Sequence, residues 1–105
     1  SSAPVFHVPA TAPLAGVVEV HSSHLKIYAT GKGTRVRKQA VIDAARATWG
    51  HLFEIPPGGK GVDDIADAVT LAALGAHVLG HPLVPLPDER ARAVAMTKIR
   101  RTDPQ

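Results

Sequence analysis

Two alanine-rich segments with helical spacing, separated by a loop of glycine and proline, constrain the fold of this chain more than any other feature. The first predicts a helix from about Thr34 to Trp49, stopped by Gly50. The loop at residues 56–61 reads Pro-Pro-Gly-Gly-Lys-Gly, and the second helix is predicted over residues 63–79. Because small inner side chains allow close approach, this pattern favours helices that lie flat on a sheet.

The flanking segments predict shorter elements. Residues 1–16 contain three prolines and are predicted to be an arm or linker, with a short edge strand at 5–8. A β-branched run predicts a strand at 17–20, and a basic helix is predicted over 88–99. One strand cannot make a sheet, so we expect part of an α/β layer. The spacing predicts these inward-facing residues on the two main helices: Val36, Ala40, Val41, Ala44, Thr48, Ile65, Ala68, Val69, Ala72, Ala76 and Leu79.

Length and composition exclude several classes of protein. A chain of 105 residues suits one small domain, and its zero cysteines exclude a disulfide scaffold, a thiolate metal site and a catalytic thiol. The longest uncharged run carries two histidines and ends among prolines and glycines, so it does not suit a membrane span. We therefore expect a soluble, intracellular domain.

Positive charge is concentrated in two groups. The formal net charge is +3. Five cations fall within 13 residues without an intervening acid: Lys26, Lys32, Arg35, Arg37 and Lys38. A second group lies near the C-terminus: Arg90, Arg92, Lys98, Arg100 and Arg101. Basic flanks around acidic central residues suit an enzyme that acts on nucleic acid, although solvated helix faces produce the same pattern.

Asp64 and Asp67 form the most informative acidic pattern. Three residues apart on a helix, their carboxylates share one face and repel each other unless a cation intervenes. Oxygen ligands of this kind suit Mg²⁺ or Mn²⁺. The alternative is that these acids only stabilise the helix start through its dipole.

Two other motifs fail on spacing. Lys32 lies in a Gly-Lys-Gly loop, but the glycine that a nucleotide phosphate loop needs five residues earlier is absent, so no nucleotide cofactor is expected. His21 and His24 lack two further ligands for zinc.

Several segments taken together resemble RuvC-type Holliday-junction resolvases, most closely the branch of phages and actinobacteria. A Val-Glu-Val strand at 18–20 leads to the pair Leu25-Lys26 and the loop Thr30-Gly-Lys-Gly33. The Asp64-x-x-Asp67-Ala68 pattern resembles the helix that carries the last two metal-binding carboxylates of that family. The resemblance covers residues 17–92 in consistent order.

The resemblance implies a ribonuclease-H-like α/β fold and hydrolysis of phosphodiester bonds in branched DNA with two Mg²⁺ ions. It implies that Asp64 and Asp67 are catalytic metal ligands, and that Lys26, Lys32, Arg35, Arg37 and Lys38 contact DNA. It also implies a homodimer in the cytoplasm of a bacterium or a phage-infected host cell. Residues 17–87 would be the C-terminal half of the resolvase-like domain and 88–105 a basic tail.

The upstream half of such an active site is missing from this sequence. Resolvases of this type carry two further catalytic acids on earlier strands, whereas no Asp or Glu precedes Glu19 here. The chain would therefore supply half of an endonuclease site. The alternatives are a non-catalytic DNA-binding module derived from such a nuclease, and a small assembly protein whose acids only cap a helix.

Overall fold

Among the residues that the structure describes, four helices form the body of the protein, and three short strands lie before and after them in the chain. The computed structural model describes the backbone of residues 5–11 and 14–101, and the side chains of residues 20–97. In chain order the elements are β1 (Val5–Thr11), β2 (Leu14–Glu19), α1 (Ser22–Thr30), α2 (Lys38–Trp49), α3 (Val62–Val78), α4 (Asp88–Met96) and β3 (Lys98–Arg101).

The end of α1 is held by α4. Gly31 takes the left-handed conformation, with φ of 90°, and its N–H donates to the carbonyl of Ile27 at 2.7 Å. The last carbonyls of a helix lack partners within the helix, and two arginines of α4 supply them here. Arg90 Nε donates to the Tyr28 carbonyl at 2.8 Å, and Arg92 donates to the Gly31 carbonyl at 2.9 Å. Residues far apart in sequence therefore fasten the first helix to the last.

The predicted position of α3 is confirmed within one residue at each end, whereas α2 ends at Trp49 as predicted but begins four residues after the predicted start at Thr34. Of the predicted inward faces, Val41 and Val69 are buried, but most of the other residues are not. Ile65 is 39% exposed, and Ala40, Ala68 and Ala72 are also exposed. The residues that these two helices bury are Val41, Ile42, Ala45, Trp49, Val62, Ala66, Val69, Thr70, Ala73, Leu74 and Gly75. The predicted stripes missed most of the faces along which α2 and α3 pack against each other.

An aromatic cluster fills the centre of the core. Tyr28 and Trp49 are fully buried and stack with ring centroids 5.7 Å apart. The Arg90 guanidinium lies 5.5 Å from the Trp49 ring, and the Tyr28 hydroxyl lies 3.0 Å from Nδ1 of His77. Burial raises the pKa of Tyr28 to about 12, against an opposing effect of the positive charge on Arg90. This cluster joins all four helices.

The strands form an antiparallel sheet in the order β1-β2-β3. Val5 pairs with Glu19 at one end of the β1–β2 ladder, and Glu19 pairs with Lys98 of β3. The register of β1 shifts between Val8 and Thr11, around Pro9, which has no N–H to donate to a ladder. With residues Val5–Thr11, β1 is longer than the predicted edge strand at 5–8.

The expectation of a ribonuclease-H-like α/β fold is wrong. That fold needs a mixed sheet covered by helices on both faces, whereas the body here is helical and its helices bury their apolar residues against one another. All strand pairings among the described residues are antiparallel. They join β1 and β2, which lie near the N-terminus, and β2 and β3, which lies near the C-terminus. The basic helix predicted to reach residue 99 ends at Met96.

Parts of the predicted arm and of the predicted tail cannot be compared with the structure. Residues 1–4 and 12–13 of the predicted arm and 102–105 of the predicted tail lie outside the described residues. Within the part of the chain that the structure describes, no helix combines the length and the apolar character needed to cross a bilayer.

Candidate functional site

Two lysines and two aspartates from three helices meet around one small cavity, here called the Asp67 pocket. Lys26 comes from α1, Lys38 begins α2, and Asp63 and Asp67 lie one turn apart on α3. The pocket has a volume of about 140 Å³, and its remaining lining residues are Val36, Val41 and Ile42. The lining of the pocket thus combines charged side chains of both signs with three apolar side chains.

The two aspartates of the pocket differ in their partners. Asp63 forms an ion pair with Lys38, with 3.6 Å between Oδ2 and Nζ. Because the side chains are 39% and 85% exposed, this pair contributes little to stability. Asp67 makes no hydrogen bond or ion pair within the described residues. Its carboxylate is therefore available to a ligand.

The position of Asp67 is not explained by the helix dipole. Asp63 and Asp64 lie in the first turn of α3, where negative charge is favourable. Asp67 lies in the second turn, beyond the reach of that effect. Partial burial raises the pKa of Asp67, the charges of Asp63 and Asp64 raise it further, and Lys26 and Lys38 oppose the shift. The raised pKa of Asp67 therefore comes first from its partial burial and then from the two neighbouring carboxylates, and the two lysines do not cancel it.

The structure changes the acidic pair expected at the site. The sequence pattern paired Asp64 with Asp67, whereas the residue that lines the pocket with Asp67 is Asp63, four residues earlier. Asp64 is exposed beside the pocket and acts on Asp67 through its charge. The i, i+4 spacing of Asp63 and Asp67 is visible in the sequence and was the signal that could have identified the second acid.

Mg²⁺ fits this donor set in part. Mg²⁺ is commonly bound by one or two carboxylates, with waters and substrate phosphates completing its shell, and Asp63 and Asp67 can supply that pair. However, the described part of the chain contains no group of three or more His, Asp or Glu side chains arranged to hold a metal ion. A cation at this pocket would need ligands from the substrate or from elsewhere.

The five predicted DNA-contacting residues are divided between two places. Lys26 and Lys38 line the Asp67 pocket. Lys32, Arg35 and Arg37 line a second, open groove, together with Arg90 of α4.

No family model, curated protein or solved structure matches this chain. The resemblance to resolvases therefore stays a prediction.

Replacing Asp67 with Asn is expected to raise the free energy of unfolding near neutral pH by roughly 0.2–0.5 kcal/mol, the size of a like-charge pair on one helix face. The folded protein raises the pKa of Asp67 and so holds its proton more tightly than the unfolded chain. The stability from this proton is complete below the ordinary aspartate pKa and is lost as pH rises through the higher folded pKa.

Melting temperatures measured from acidic to neutral pH at low salt test this expectation. The gain from Asp67→Asn should vanish at the acidic end, and Asp43→Asn, which removes a carboxylate outside the pocket, should not reproduce the pattern. A gain that is independent of pH would contradict the electrostatic explanation.

Proposed function

We propose that this chain supplies part of the active site of a Mg²⁺-dependent endonuclease that hydrolyses phosphodiester bonds of branched DNA. One observation carries the most weight: Asp63 and Asp67 meet Lys26 and Lys38 around one pocket. Carboxylates bind Mg²⁺, and ammonium groups bind phosphate oxygens. A metal-assisted reaction on a phosphodiester needs both groups in one place.

Each residue would have a limited role. Asp67, with Asp63 or Asp64 beside it, would hold the cation, and Lys26 and Lys38 would hold the phosphate against it. Bound Mg²⁺ supplies an activated water and neutralises charge on phosphate oxygens. The remaining carboxylates would come from another part of the site, and a homodimer in the bacterial cytoplasm or that of a phage-infected cell belongs to the same proposal. The segments that resemble RuvC-type resolvases support the choice of branched DNA, but the ribonuclease-H-like architecture is no longer part of it.

The second candidate is a DNA-binding module without catalytic activity. It is favoured by the lack of a group of three metal-ligating side chains among the described residues. Such a module would bind DNA through phosphate contacts, with an affinity that falls steeply with salt and does not need metal.

Cleavage and thermal stability measured together separate these candidates. The full chain is incubated with a four-way DNA junction with Mg²⁺ or with a chelator, and melting temperatures are recorded under the same conditions. We expect Mg²⁺ to raise the melting temperature of the DNA complex and to support cleavage. Asp67→Asn should remove both effects, lowering cleavage by more than the ~10–100-fold typical of losing a group that supports a metal ligand. Asp43→Asn serves as the control that loses the same charge elsewhere.

The other outcomes have definite meanings. DNA binding that is unchanged by the chelator and by Asp67→Asn, without cleavage, would replace the endonuclease with the binding module. No binding to DNA at low salt would overturn both, and Asp63 and Asp64 would then only stabilise the start of α3.

A further inference from the structure

A second open surface, here called the basic groove, runs along the exposed side of α2. Its volume is about 540 Å³, and it is lined by the end of α1, residues of the 31–37 loop, α2 and Arg90. Among the side chains that the structure describes, four lining residues are cationic, namely Lys32, Arg35, Arg37 and Arg90, and none is acidic. The groove is therefore complementary in charge to a polyanion.

The uncharged lining indicates which part of a polyanion fits. Most of these residues are small, including Ala40, Ala44 and Ala47 on successive turns of α2. Small side chains allow a bulky backbone to approach the helix closely. Within residues 20–97 the lining contains no aromatic ring on which a base could stack, and its hydroxyls belong only to Thr30 and Thr48. Such a surface contacts phosphates and sugars rather than base edges.

Arg35 is held in an unusual backbone conformation at this groove. Its φ is 56°, the left-handed region, and it is the one described residue other than glycine with a positive φ. Glycine adopts this conformation at less cost than arginine. Within the described residues the Arg35 side chain is exposed and makes no hydrogen bond or ion pair that offsets this cost. Strain of this kind concentrates at binding sites, where it fixes the direction of a side chain.

The basic groove adjoins the Asp67 pocket. Val36 lines both cavities, with Arg35 and Arg37 beside it in the groove and Lys38 in the pocket. A polymer that crosses Val36 would lie in both. A free phosphate or mononucleotide would not reach both the cations of the basic groove and the two lysines of the Asp67 pocket, whereas a continuous strand would.

We infer that the basic groove holds the sugar–phosphate backbone of a DNA strand that continues past Val36 to the Asp67 pocket, and that Arg35 is a phosphate-contacting residue. That the bound strand is DNA rests on the proposed function. The groove makes the contact independent of base sequence, and Arg90, whose guanidinium already donates to Tyr28 and Thr48, contributes its positive charge to the groove without being free to bind a phosphate in the same way as Arg35.

Salt-dependent binding of the full chain to fluorescently labelled four-way junctions of two unrelated sequences tests the inference. The chelator is present, so that catalysis does not contribute. Lys32→Ala should weaken binding to both sequences equally and reduce the slope of log affinity against log salt by about 0.9 on duplex arms. Lys60→Ala removes the same charge from the 56–61 loop, outside the groove, and should leave the slope unchanged.

Arg35 is tested with two variants. Arg35→Gly relieves the backbone conformation and removes the charge, so it should keep or raise the melting temperature while weakening DNA binding several-fold. Arg35→Lys keeps the charge and the conformation and should bind DNA nearly as the parent does.

The experiments distinguish an error in the inference about the basic groove from an error in the proposed function. If Lys32→Ala and Arg35→Gly bind junctions like the parent, or Lys60→Ala weakens binding as much as Lys32→Ala, the groove is not the contact surface. In that case the effects of Asp67→Asn on cleavage and on the Mg²⁺-dependent melting temperature decide the proposed function separately. If the parent chain binds no DNA, both fail.

Discussion

Replacing Trp49 with alanine is expected to lower the free energy of unfolding by about 3–5 kcal/mol. Trp49 is fully buried, stacks on Tyr28 and lies beneath the Arg90 guanidinium. Its removal would leave a cavity where the four helices meet. Because domains of this size are stable by only about 5–15 kcal/mol, the variant would be close to unfolding.

Phenylalanine at the same position provides the informative comparison. The indole Nε1 of Trp49 is buried without a hydrogen-bond partner within the described residues. An unpaired buried N–H costs about 1–3 kcal/mol, and Trp49→Phe removes that cost while it loses part of the packing. We expect Trp49→Phe to lie within about 1 kcal/mol of the parent in urea unfolding. Equal damage by the two substitutions would mean that Nε1 has a partner and would contradict this interpretation.

Arg90→Ala is expected to have the next largest effect, a loss of about 2–3 kcal/mol. Arg90 donates to the Tyr28 carbonyl at the end of α1 and to Thr48 Oγ1 on α2 at 3.0 Å. Its guanidinium also covers Trp49. The substitution would leave a helix-end carbonyl unpaired and would remove two of the hydrogen bonds that hold α4 against α1 and α2.

Thermal unfolding measures this loss, since 1 kcal/mol corresponds to about 4–8 °C for a domain of this size. Arg90→Lys keeps the positive charge without the forked geometry and should recover less than half of the lost stability. Arg92→Ala, which removes only the bond to the Gly31 carbonyl, should lose less than Arg90→Ala. A melting temperature of Arg90→Ala equal to that of the parent would exclude the proposed role in joining the helices.

The role of Arg90 shows that a charge pattern in the sequence does not distinguish a ligand-binding arginine from a structural one. In the sequence, Arg90 and Arg92 belong to a basic group that suggests polyanion binding. In the structure they complete the carbonyl end of α1, because the chain brings α4 beside residues about 60 positions earlier. A cation near a helix C-terminus is also favoured by the dipole. Sequence spacing contains no information about such a long-range partner.

The acidic site was partly accessible from sequence. Asp67 was singled out from its spacing, and the structure places it in a cavity with a raised pKa. Its neighbour Asp63 and the approach of Lys26 and Lys38 depend on how α1, α2 and α3 pack. Side-chain positions one turn apart can be worked out from helix geometry, whereas contacts between helices cannot.

The sequence alone located α3, the end of α2 and the start of α4, but it did not identify α1 as a helix and it placed the start of α2 four residues too early. The end of α2 and the start of α3 depend on local backbone sterics, because Gly50 and the Pro-Gly loop at 56–61 lie between the two helices. Tertiary structure alone decided which faces are buried and which fold class results. Alanines occur on several faces of α2 and α3, so their spacing does not identify the inner face, and packing against the other helices selects it. For the same reason the helices cover one another instead of the sheet that their alanine content suggested.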